Sequence, residues 1–275
     1  MGLESFYQII VVVPARINST RLPKKVLADI CGKPMLLRVL EQCKKAVGPS
    51  KIFLCTDSKE LKLLAETIRI DSLITPESCN SGSARIASVL NELIEETWKD
   101  ISFSGKQISF KEKLKRTLVI NVQGDQPFLD PSVINKMCNF FYQQKSKLEV
   151  VTPIFKLNKD NIHNESVVKV IVNNKSEAIY FSRSALPHVR DHKKEDWHKY
   201  YNFWGHVGIY GFRADILSNW HKYPFSKMEE LERLEQLKLI DAGVKINTFE
   251  VEGDFLSVDT QEQLVLAREL AIKNK

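Results

Sequence analysis

The stretch QIIVVVPARINSTRLPKK, residues 8–25, guides the interpretation of the whole chain. Its first eight residues are almost all apolar and show no polar alternation, which is typical of a strand buried on both faces. Four cations follow closely, namely Arg16, Arg21, Lys24 and Lys25. A basic loop after a buried strand is either a solvated turn or a site for a polyanion, and spacing alone does not separate the two interpretations.

Strand-like and helical patterns alternate through the first half of the chain. Buried strands are predicted at residues 8–15, 51–57 and 116–125, and helices at residues 32–47, 58–68, 81–98 and 130–144. Ser58 and Asp130 are suitable N-caps, and Pro131 fits a first helical turn. The alternation predicts a three-layer α/β fold in which a doubly wound, mostly parallel sheet lies between helices.

The middle of the chain has a different pattern. Residues 149–155, 166–173, 178–187 and 203–213 are rich in β-branched and aromatic residues, and few helical patterns separate them. We therefore expect a smaller antiparallel or mixed excursion from the main sheet. A helix is predicted at residues 226–243, a strand at residues 244–251, and a last helix after Thr260, which can form a capping box with Gln263. The polar, basic segment 97–116 is expected on the surface.

Composition excludes several classes of protein. The net charge of +6 is spread along the chain without aromatic residues interleaved in a basic tract, so we expect no nucleic-acid partner. The five cysteines have no metal-ligand spacing, which suits free thiols in a reducing compartment. No apolar run has the length of a membrane span, and the first residues lack a signal-peptide pattern. These features predict a cytoplasmic protein with no membrane partner.

Two aspartates lie where predicted strands end. Asp125 lies in NVQGDQP, residues 121–127, and Asp259 lies in SVDTQEQ, residues 257–263. Taken singly, each is explained as well by an ordinary turn or helix start. Ligands of open α/β sheets bind beyond the carboxyl ends of the strands, which is also where the basic loop lies. Two carboxylates facing that loop predict a site for a complex of Mg²⁺ with a nucleotide.

Seven motifs occur in the order found in one enzyme family. They are VPARINSTRLPKKVLADICGKPML (13–36), SGSAR (81–85), NVQGDQP (121–127), YFSRSALP (180–187), HVGIYGFR (206–213), LEQL (234–237) and SVDT (257–260). With them the chain resembles the sugar-nucleotide cytidylyltransferases over nearly its whole length, and among these the enzymes that activate 3-deoxy-D-manno-octulosonate (Kdo). The resemblance implies a fold of the nucleotide-diphospho-sugar transferase type in a single cytidylyltransferase domain, residues 1–275.

The resemblance also implies a reaction. CMP would pass from CTP to the anomeric hydroxyl of Kdo, with release of pyrophosphate, with Mg²⁺ as cofactor, and for lipopolysaccharide synthesis. The family is typically a homodimer. Residues 1–150 would mainly bind the nucleotide, residues 151–250 the sugar acid and the second subunit, and residues 251–275 would supply a metal ligand and the last helix. Another sugar acid, such as an amino-substituted Kdo, and a nucleotide-binding homologue without activity are the alternatives.

Individual positions receive roles from the same resemblance. The CTP-binding set is Arg16, Ser19, Arg21, Lys25, Ser81, Gly82, Arg85 and Gln123. The sugar-binding set is Arg183, His206, Tyr210, Glu235 and Gln236. The metal ligands are Asp125 and Asp259, and the catalytic set consists of Arg16, Arg21, Lys25, Asp125 and Asp259.

Chemistry supports some of these assignments. The guanidinium of Arg183 can grip a sugar carboxylate with two hydrogen bonds. His206 and Tyr210 lie four residues apart in one predicted strand, so we expect both side chains on the same face. On residue type alone, Tyr210 would be a core residue, His206 a hydrogen-bonded buried imidazole and Glu235 a solvated helix residue.

A few positions depart from the family pattern. Lys24 and Val26 stand where the family usually has Gly and Pro, and Gln126 stands where Glu is commoner. Ser83 and Ala84 replace a Thr-Glu pair, which removes a carboxylate near the nucleotide. None of these changes deletes an assigned metal ligand or phosphate-binding cation.

Overall fold

A computed structural model describes residues 7–19, 22–101, 107–144, 147–253 and 255–273 of the chain. Its strands are β1 (Gln8–Ala15), β2 (Lys51–Thr56), β3 (Asp71–Ile74), β4 (Thr117–Asn121), β5 (Val150–Lys156), β6 (Lys169–Val172), β7 (Ala178–Ser182), β8 (Trp204–His206), β9 (Tyr210–Arg213) and β10 (Ile246–Glu250). Its α-helices are α1 (Met35–Lys45), α2 (Lys59–Glu66), α3 (Gly82–Ser88), α4 (Leu90–Trp98), α5 (Phe110–Lys115), α6 (Pro131–Gln144), α7 (Ala214–Leu217), α8 (Lys227–Glu232), α9 (Leu237–Asp241) and α10 (Gln261–Lys273).

The described strands form one mixed sheet. Its order is β3-β2-β1-β4-β9-β5-β8-β6-β7, and β10 pairs in parallel with β5. Strands β3, β2, β1 and β4 are all parallel, whereas β9, β8, β6 and β7 join by antiparallel pairing. The predicted parallel sheet with an antiparallel excursion from the middle of the chain is therefore confirmed.

The central strand β1 has hydrophobic packing on both faces, as its unbroken apolar sequence predicts. Ile9, Val11 and Val13 pack with helices α1 and α6, while Ile10 and Val12 pack with helices α3 and α4 on the opposite face. All five of these side chains are buried. This alternation gives the three layers and directs the carboxyl end of β1 toward the edge where the basic loop begins.

Several predicted boundaries are confirmed by the hydrogen bonds at helix ends. The Ser58 hydroxyl accepts from the main-chain N–H of Leu61, and the Asp130 carboxylate accepts from Ser132. At α10, Thr260 and Gln263 exchange bonds between side chain and main chain, which is the predicted capping box. Across the described helices, none combines the length and apolarity that crossing a bilayer requires.

Three predicted elements are divided in the structure, and β3 had no counterpart in the sequence prediction. The single helix predicted at 81–98 is wrong, because Val89 leaves the helical conformation between α3 and α4. Val89 is β-branched, and the Ser88 hydroxyl donates back to the Arg85 carbonyl, so both residues weaken a continuous helix.

The helix predicted at 226–243 is also divided. Arg233 adopts a left-handed conformation with φ of 56° and ends α8. The chain then turns so that Leu234 and Leu237 are buried while Leu231 stays exposed. This turn gives Glu235 and Gln236 a different direction from the one a continuous helix would impose.

The strand predicted at 203–213 consists of β8 and β9 with a tight turn between them. The Ile209 N–H donates to the Val207 carbonyl at 2.6 Å, a bond across only two residues that a continuous strand cannot form. The prediction that one strand carries both His206 and Tyr210 is therefore wrong. Their rings nevertheless meet, with centroids 5.2 Å apart, because the turn brings the two strand ends together.

Candidate active site

A polar cleft lies at the carboxyl ends of β1 and β4. Its volume is about 270 Å³. The positions that the sequence analysis assigned to CTP, metal and catalysis line it, namely Arg16, Ser19, Lys25, Ser81, Gly82, Arg85, Gln123, Asp125 and Asp259. Arg21 belongs to the same prediction but lies outside the described residues.

Lys25 joins the two aspartates of the cleft. Its Nζ lies 2.7 Å from Oδ2 of Asp125 and 2.7 Å from Oδ1 of Asp259. Burial lowers the pKa of Lys25, but the charges and hydrogen bonds of the two carboxylates outweigh that effect and raise the pKa above its ordinary value. Two acidic residues that are 134 positions apart in the sequence therefore share one cation.

Local structure explains how these three residues meet. Lys25 begins a 3₁₀ helix, Lys25–Leu27, after Lys24 adopts a left-handed conformation with φ of 50°. The main-chain N–H of Val258 donates to the Asp125 carbonyl at 2.9 Å, which fastens the segment before α10 to the end of β4. Lys24 stands where the family usually has Gly, and its positive φ is the conformation that Gly adopts without strain.

The donor set of the cleft fits a hydrated Mg²⁺ bound together with phosphates. Among the described residues, no group of three or more His, Cys, Asp or Glu side chains could form a metal cage. Magnesium sites at phosphates commonly use one or two carboxylates, with water and phosphate oxygens as the other ligands. Asp125 and Asp259 match that requirement, since they lie close enough together for the Lys25 ammonium to contact both.

Arg16 is the cation of the cleft that is most available to a ligand. Its side chain is exposed, and it forms no hydrogen bond or ion pair with any residue in the described part of the chain. Ser19 lies three residues further along and is half-buried. An exposed guanidinium beside a hydroxyl can bind phosphate oxygens without first breaking an internal contact.

Arg85 lines the cleft but its guanidinium is already paired. It donates to Oδ2 of Asp57 at 3.0 Å and also to the Thr75 hydroxyl, and both side chains of the ion pair are almost completely buried. Oδ1 of Asp57 accepts from the main-chain N–H of Ile17 at 3.1 Å. Arg85 therefore acts on the basic loop through Asp57, which the sequence analysis did not identify.

Gly82 allows a close approach between α3 and the strand ends. A Cβ atom at this position would lie 3.0 Å from Nε2 of Gln123 and 3.1 Å from Cγ of Pro14. The neighbouring Ser81 is the N-cap of α3, since its hydroxyl accepts from the Ala84 N–H. The SGSAR motif thus has a structural reason for its Ser and its Gly in addition to any contact with a ligand.

A buried polar network connects the nucleotide side to the predicted sugar side. Glu235 accepts from the Ser83 hydroxyl at 2.9 Å, and the Asn121 amide donates to that hydroxyl at 3.2 Å. Gln123 in turn donates to Asn121 at 3.0 Å. Burial raises the pKa of Glu235, although hydrogen bonds from Ser81 and Ser83 oppose this shift.

The half-buried His206 lies with the buried Tyr210 and Gln236 in the predicted sugar set. Burial lowers the pKa of His206 to about 3, so the imidazole is neutral at physiological pH. The Tyr210 hydroxyl and Nε2 of Gln236 are buried and have no hydrogen-bond partner among the described residues. Burial, and then the charge of Glu235, raise the pKa of Tyr210 well above its ordinary value.

The guanidinium of Arg183 is hydrogen-bonded to main-chain carbonyls and not to this cluster. Its Nε donates to the Glu232 carbonyl at 3.0 Å, and its Nη1 donates to the Glu165 carbonyl at 3.2 Å. Beside it, Lys169 is fully buried and donates to the carbonyls of Asn164 and Val167. Burial, with the charge of Arg183 as a smaller cause, lowers the pKa of Lys169 to about 8. Lys169 and Arg183 therefore both donate hydrogen bonds to main-chain carbonyls of one loop, residues 164–167.

A second cavity of about 650 Å³ adjoins the first. Asn80 and Ser81 line both cavities, and Glu235 lines the second. Glu235 is the member of the predicted sugar set that reaches this space; the other four do not line either cavity. The structure therefore brings together the described members of the nucleotide set, and it divides the sugar set among Glu235, the His206–Tyr210–Gln236 cluster and Arg183.

The strand-end argument could have identified Asp57, because it directly follows β2, just as Asp125 lies in the loop that follows β4. Thr152 and Lys169 gave no comparable signal. Each lies within a strand, and only the tertiary packing places the Thr152 hydroxyl against His206 and the Lys169 ammonium against a loop.

Comparisons with known proteins agree with this geometry. A family model described as cytidylyltransferase matches residues 10–246. A 3-deoxy-manno-octulosonate cytidylyltransferase from Chloroherpeton thalassium is 34% identical over 266 residues, which is 96% of this chain and 98% of that protein. An 8-amino-3,8-dideoxy-manno-octulosonate cytidylyltransferase from Shewanella sp. is 34% identical over 257 residues, with 93% and 95% covered.

One similar solved structure is CMP:2-keto-3-deoxy-manno-octonic acid synthetase complexed with CTP. It superposes with a TM-score of 0.80 at 30% sequence identity, and the match covers 98% of this chain and 100% of the other. The likeness thus extends over the cleft, the antiparallel excursion and the last helix.

Proposed function

Because this chain belongs to the cytidylyltransferase family, we propose that it transfers CMP from CTP to the anomeric hydroxyl of Kdo. The hydroxyl oxygen attacks the α-phosphorus and loses its proton to solvent, the bond between the α-phosphorus and the bridging oxygen breaks, and pyrophosphate leaves. The observation that carries the proposal is the contact of both Asp125 and Asp259 with the Lys25 ammonium inside a cleft that Arg16 and Ser19 also line. The complex of a similar protein with CTP supports the nucleotide.

The chain performs this reaction mainly by position and charge. Arg16, Ser19 and Arg21 hold the β- and γ-phosphates, which become the leaving group. Lys25 lies between the acids and the phosphate loop and can donate to a phosphate oxygen. The Asp57–Arg85 ion pair holds the basic loop in position, because Asp57 also accepts a hydrogen bond from the main-chain N–H of Ile17. Holding nucleophile and leaving group in line removes most of the entropic barrier.

Asp125 and Asp259 are the residues that would hold Mg²⁺. When bound, the ion supplies positive charge that stabilises the phosphate oxygens in the transition state. The two carboxylates would hold the ion in the cleft, and their short distances to the common Lys25 ammonium support a shared site.

The sugar acid is proposed to bind on the side of Glu235. The network from Glu235 through Ser83 and Asn121 to Gln123 would couple the position of the acceptor to that of the nucleotide. Arg183 provides the carboxylate partner once its guanidinium is released from the main-chain carbonyls of Glu232 and Glu165, to which it now donates.

A second acceptor should be tested in the same way, because an enzyme for 8-amino-3,8-dideoxy-manno-octulosonate is also 34% identical to this chain, over a slightly shorter match. We further propose that the protein acts as a homodimer in the cytoplasm and supplies lipopolysaccharide synthesis with the activated sugar acid.

Pyrophosphate release measured with CTP and each sugar acid tests the proposal. We expect turnover with Kdo and CTP that requires Mg²⁺, and little turnover when UTP replaces CTP. If the protein prefers the 8-amino sugar acid, the proposed substrate is wrong but the proposed reaction still holds. Absence of pyrophosphate with all acids would contradict the enzymatic proposal and leave a nucleotide-binding homologue.

A further inference from the structure

We propose that Thr152 is a positioning residue that fixes His206 with its proton on Nε2, so that Nδ1 is offered to the substrate only as a hydrogen-bond acceptor. The substrate part of this proposal rests on the proposed function, whereas the tautomer does not. The consequence concerns specificity: the group that meets His206 must bring its own proton, as a sugar hydroxyl does and a carboxylate does not.

Thr152 lies in the interior of β5 and is completely buried. Its hydroxyl lies 2.7 Å from the Ile209 carbonyl, 3.2 Å from the Val207 carbonyl and 3.0 Å from Nε2 of His206. The two carbonyls belong to the tight turn that separates β8 from β9. Thr152 therefore contacts the turn and the imidazole with one oxygen atom.

A count of protons decides which way these bonds run. A threonine hydroxyl carries one hydrogen, and carbonyl oxygens can only accept. Since the Ile209 carbonyl lies 2.7 Å from the hydroxyl oxygen, the hydrogen must lie between these two oxygens, because two facing lone pairs at that distance would repel. The hydroxyl then has only lone pairs left for His206, so Nε2 of His206 must be the donor.

The other ring nitrogen has no internal partner. No side chain or main-chain group in the described part of the chain hydrogen-bonds Nδ1 of His206. Phe181 packs edge-on against the imidazole at 5.0 Å between centroids, and Tyr210 lies 5.2 Å away. These rings hold the imidazole in a largely apolar setting, and burial keeps it neutral, so Nδ1 retains its lone pair.

An accepting Nδ1 selects the polarity of its ligand. A hydroxyl of the sugar acid can donate to it, whereas a carboxylate oxygen would bring a second lone pair and be repelled. The cluster of His206 and Tyr210 is thus suited to a neutral part of the sugar, which leaves the carboxylate to a cation such as Arg183. Thr152 contributes to this selection through the imidazole and does not itself touch the substrate.

Nitrogen NMR of the protein labelled with ¹⁵N-histidine tests the tautomer directly. The chain has six histidines, and the signals of His206 are identified by their loss in His206→Asn. We expect Nε2 protonated and Nδ1 unprotonated in the wild type and in Thr152→Ser, which keeps the hydroxyl. Thr152→Val should shift the ring toward a mixture of tautomers. A wild-type ring protonated on Nδ1, or an unchanged ring in Thr152→Val, would overturn the proposal.

Steady-state kinetics tests the consequence for specificity. Thr152→Val should raise KM for Kdo about tenfold, a change that corresponds to one lost hydrogen bond, with much less effect on KM for CTP. Thr152→Ser should restore KM for Kdo. Equal increases in both KM values would indicate general damage and overturn the assignment. Failure of the wild type to use Kdo would contradict the proposed function and leave the NMR result intact.

Two further variants keep the proposal testable if Thr152→Val does not fold. Asn at position 206 places an amide oxygen near the former Nδ1, whereas Gln places its amide near the former Nε2. We expect His206→Asn to retain more affinity for Kdo than His206→Gln. The reverse order would overturn the acceptor role of Nδ1.

Discussion

The cleft beside β1 and β4 and the cluster beside β5, β8 and β9 treat ionisable groups differently. In the cleft, charged groups are paired with opposite charges: Lys25 with two carboxylates, and Arg85 with Asp57. In the cluster, burial suppresses charge, lowering the pKa of His206 to about 3 and raising that of Tyr210.

The difference matches two kinds of ligand. A triphosphate needs fixed charges and a counter-cation, which paired acids and bases provide. Sugar hydroxyls need neutral donors and acceptors in defined directions, which buried imidazole, phenol and amide groups provide. Glu235 influences both regions, since it accepts a hydrogen bond from Ser83 beside the cleft and its charge contributes to the raised pKa of Tyr210 in the cluster.

The largest expected effect comes from removing a carboxylate from the charged cleft. Asp125→Asn and Asp259→Asn should each lower kcat at least about a thousandfold, equivalent to about 4 kcal/mol, because either change removes a carboxylate from the shared cation site. Pyrophosphate release measures this loss, and circular dichroism checks that the fold is retained. Asp160→Asn is a matched control on an exposed aspartate far along the chain. Near-normal turnover in both variants would remove the acids from the mechanism.

The next largest effect comes from breaking the ion pair between Arg85 and Asp57, which supports the basic loop. Arg85→Met should lower the free energy of unfolding by about 3 kcal/mol, because Asp57 is left buried without its counter-charge. Chemical denaturation measures the change. The double variant Arg85→Met with Asp57→Asn should recover part of the lost stability. A double variant that loses the sum of both single effects would show that the two side chains act independently.

A smaller effect is the pH dependence of stability that the neutral imidazole of His206 causes. Since the folded pKa of His206, about 3, lies below the unfolded value of about 6.5, the unfolded state binds the proton first as pH falls. The stability contribution is therefore present above pH 6.5 and lost toward pH 3. Relative to His206→Asn, the wild type should lose about 1–2 kcal/mol between pH 7 and pH 5. Parallel pH profiles for the two proteins would show that the imidazole is solvated.

The smallest expected effect is a gain in stability on the charged side. Lys24→Gly should stabilise the protein by about 1 kcal/mol. The left-handed conformation at this position is sterically unfavourable for any residue with a Cβ atom, and glycine adopts it without that energy cost. Thermal unfolding measures it. Lys24→Ala is the control, since alanine keeps the strain; equal stability of the Gly and Ala variants would contradict the argument.

The two regions also differ in how well the sequence predicts them. The unbroken apolar sequence of β1 and the caps at Ser58, Asp130 and Thr260 predict the parallel half well, because both signals are local. The breaks at Arg233 and between His206 and Tyr210 were not predicted, since each depends on what the chain packs against. The break at Val89 has local causes, but the helical periodicity of residues 81–98 outweighed them in the prediction. Motif positions brought the nucleotide residues to one cleft, whereas the partners of Arg183 and His206 arise from tertiary packing alone.

The central claim is that Asp125 and Asp259 form one divalent-cation site with the bound nucleotide. Electron paramagnetic resonance of Mn²⁺, titrated into the protein saturated with CTP, measures that site without turnover. We predict tight Mn²⁺ binding in the wild type, a loss of at least about tenfold in Asp125→Asn and in Asp259→Asn, and little further loss in the double variant, because a pair that acts as a unit is non-additive. Wild-type affinity in both single variants would contradict the account.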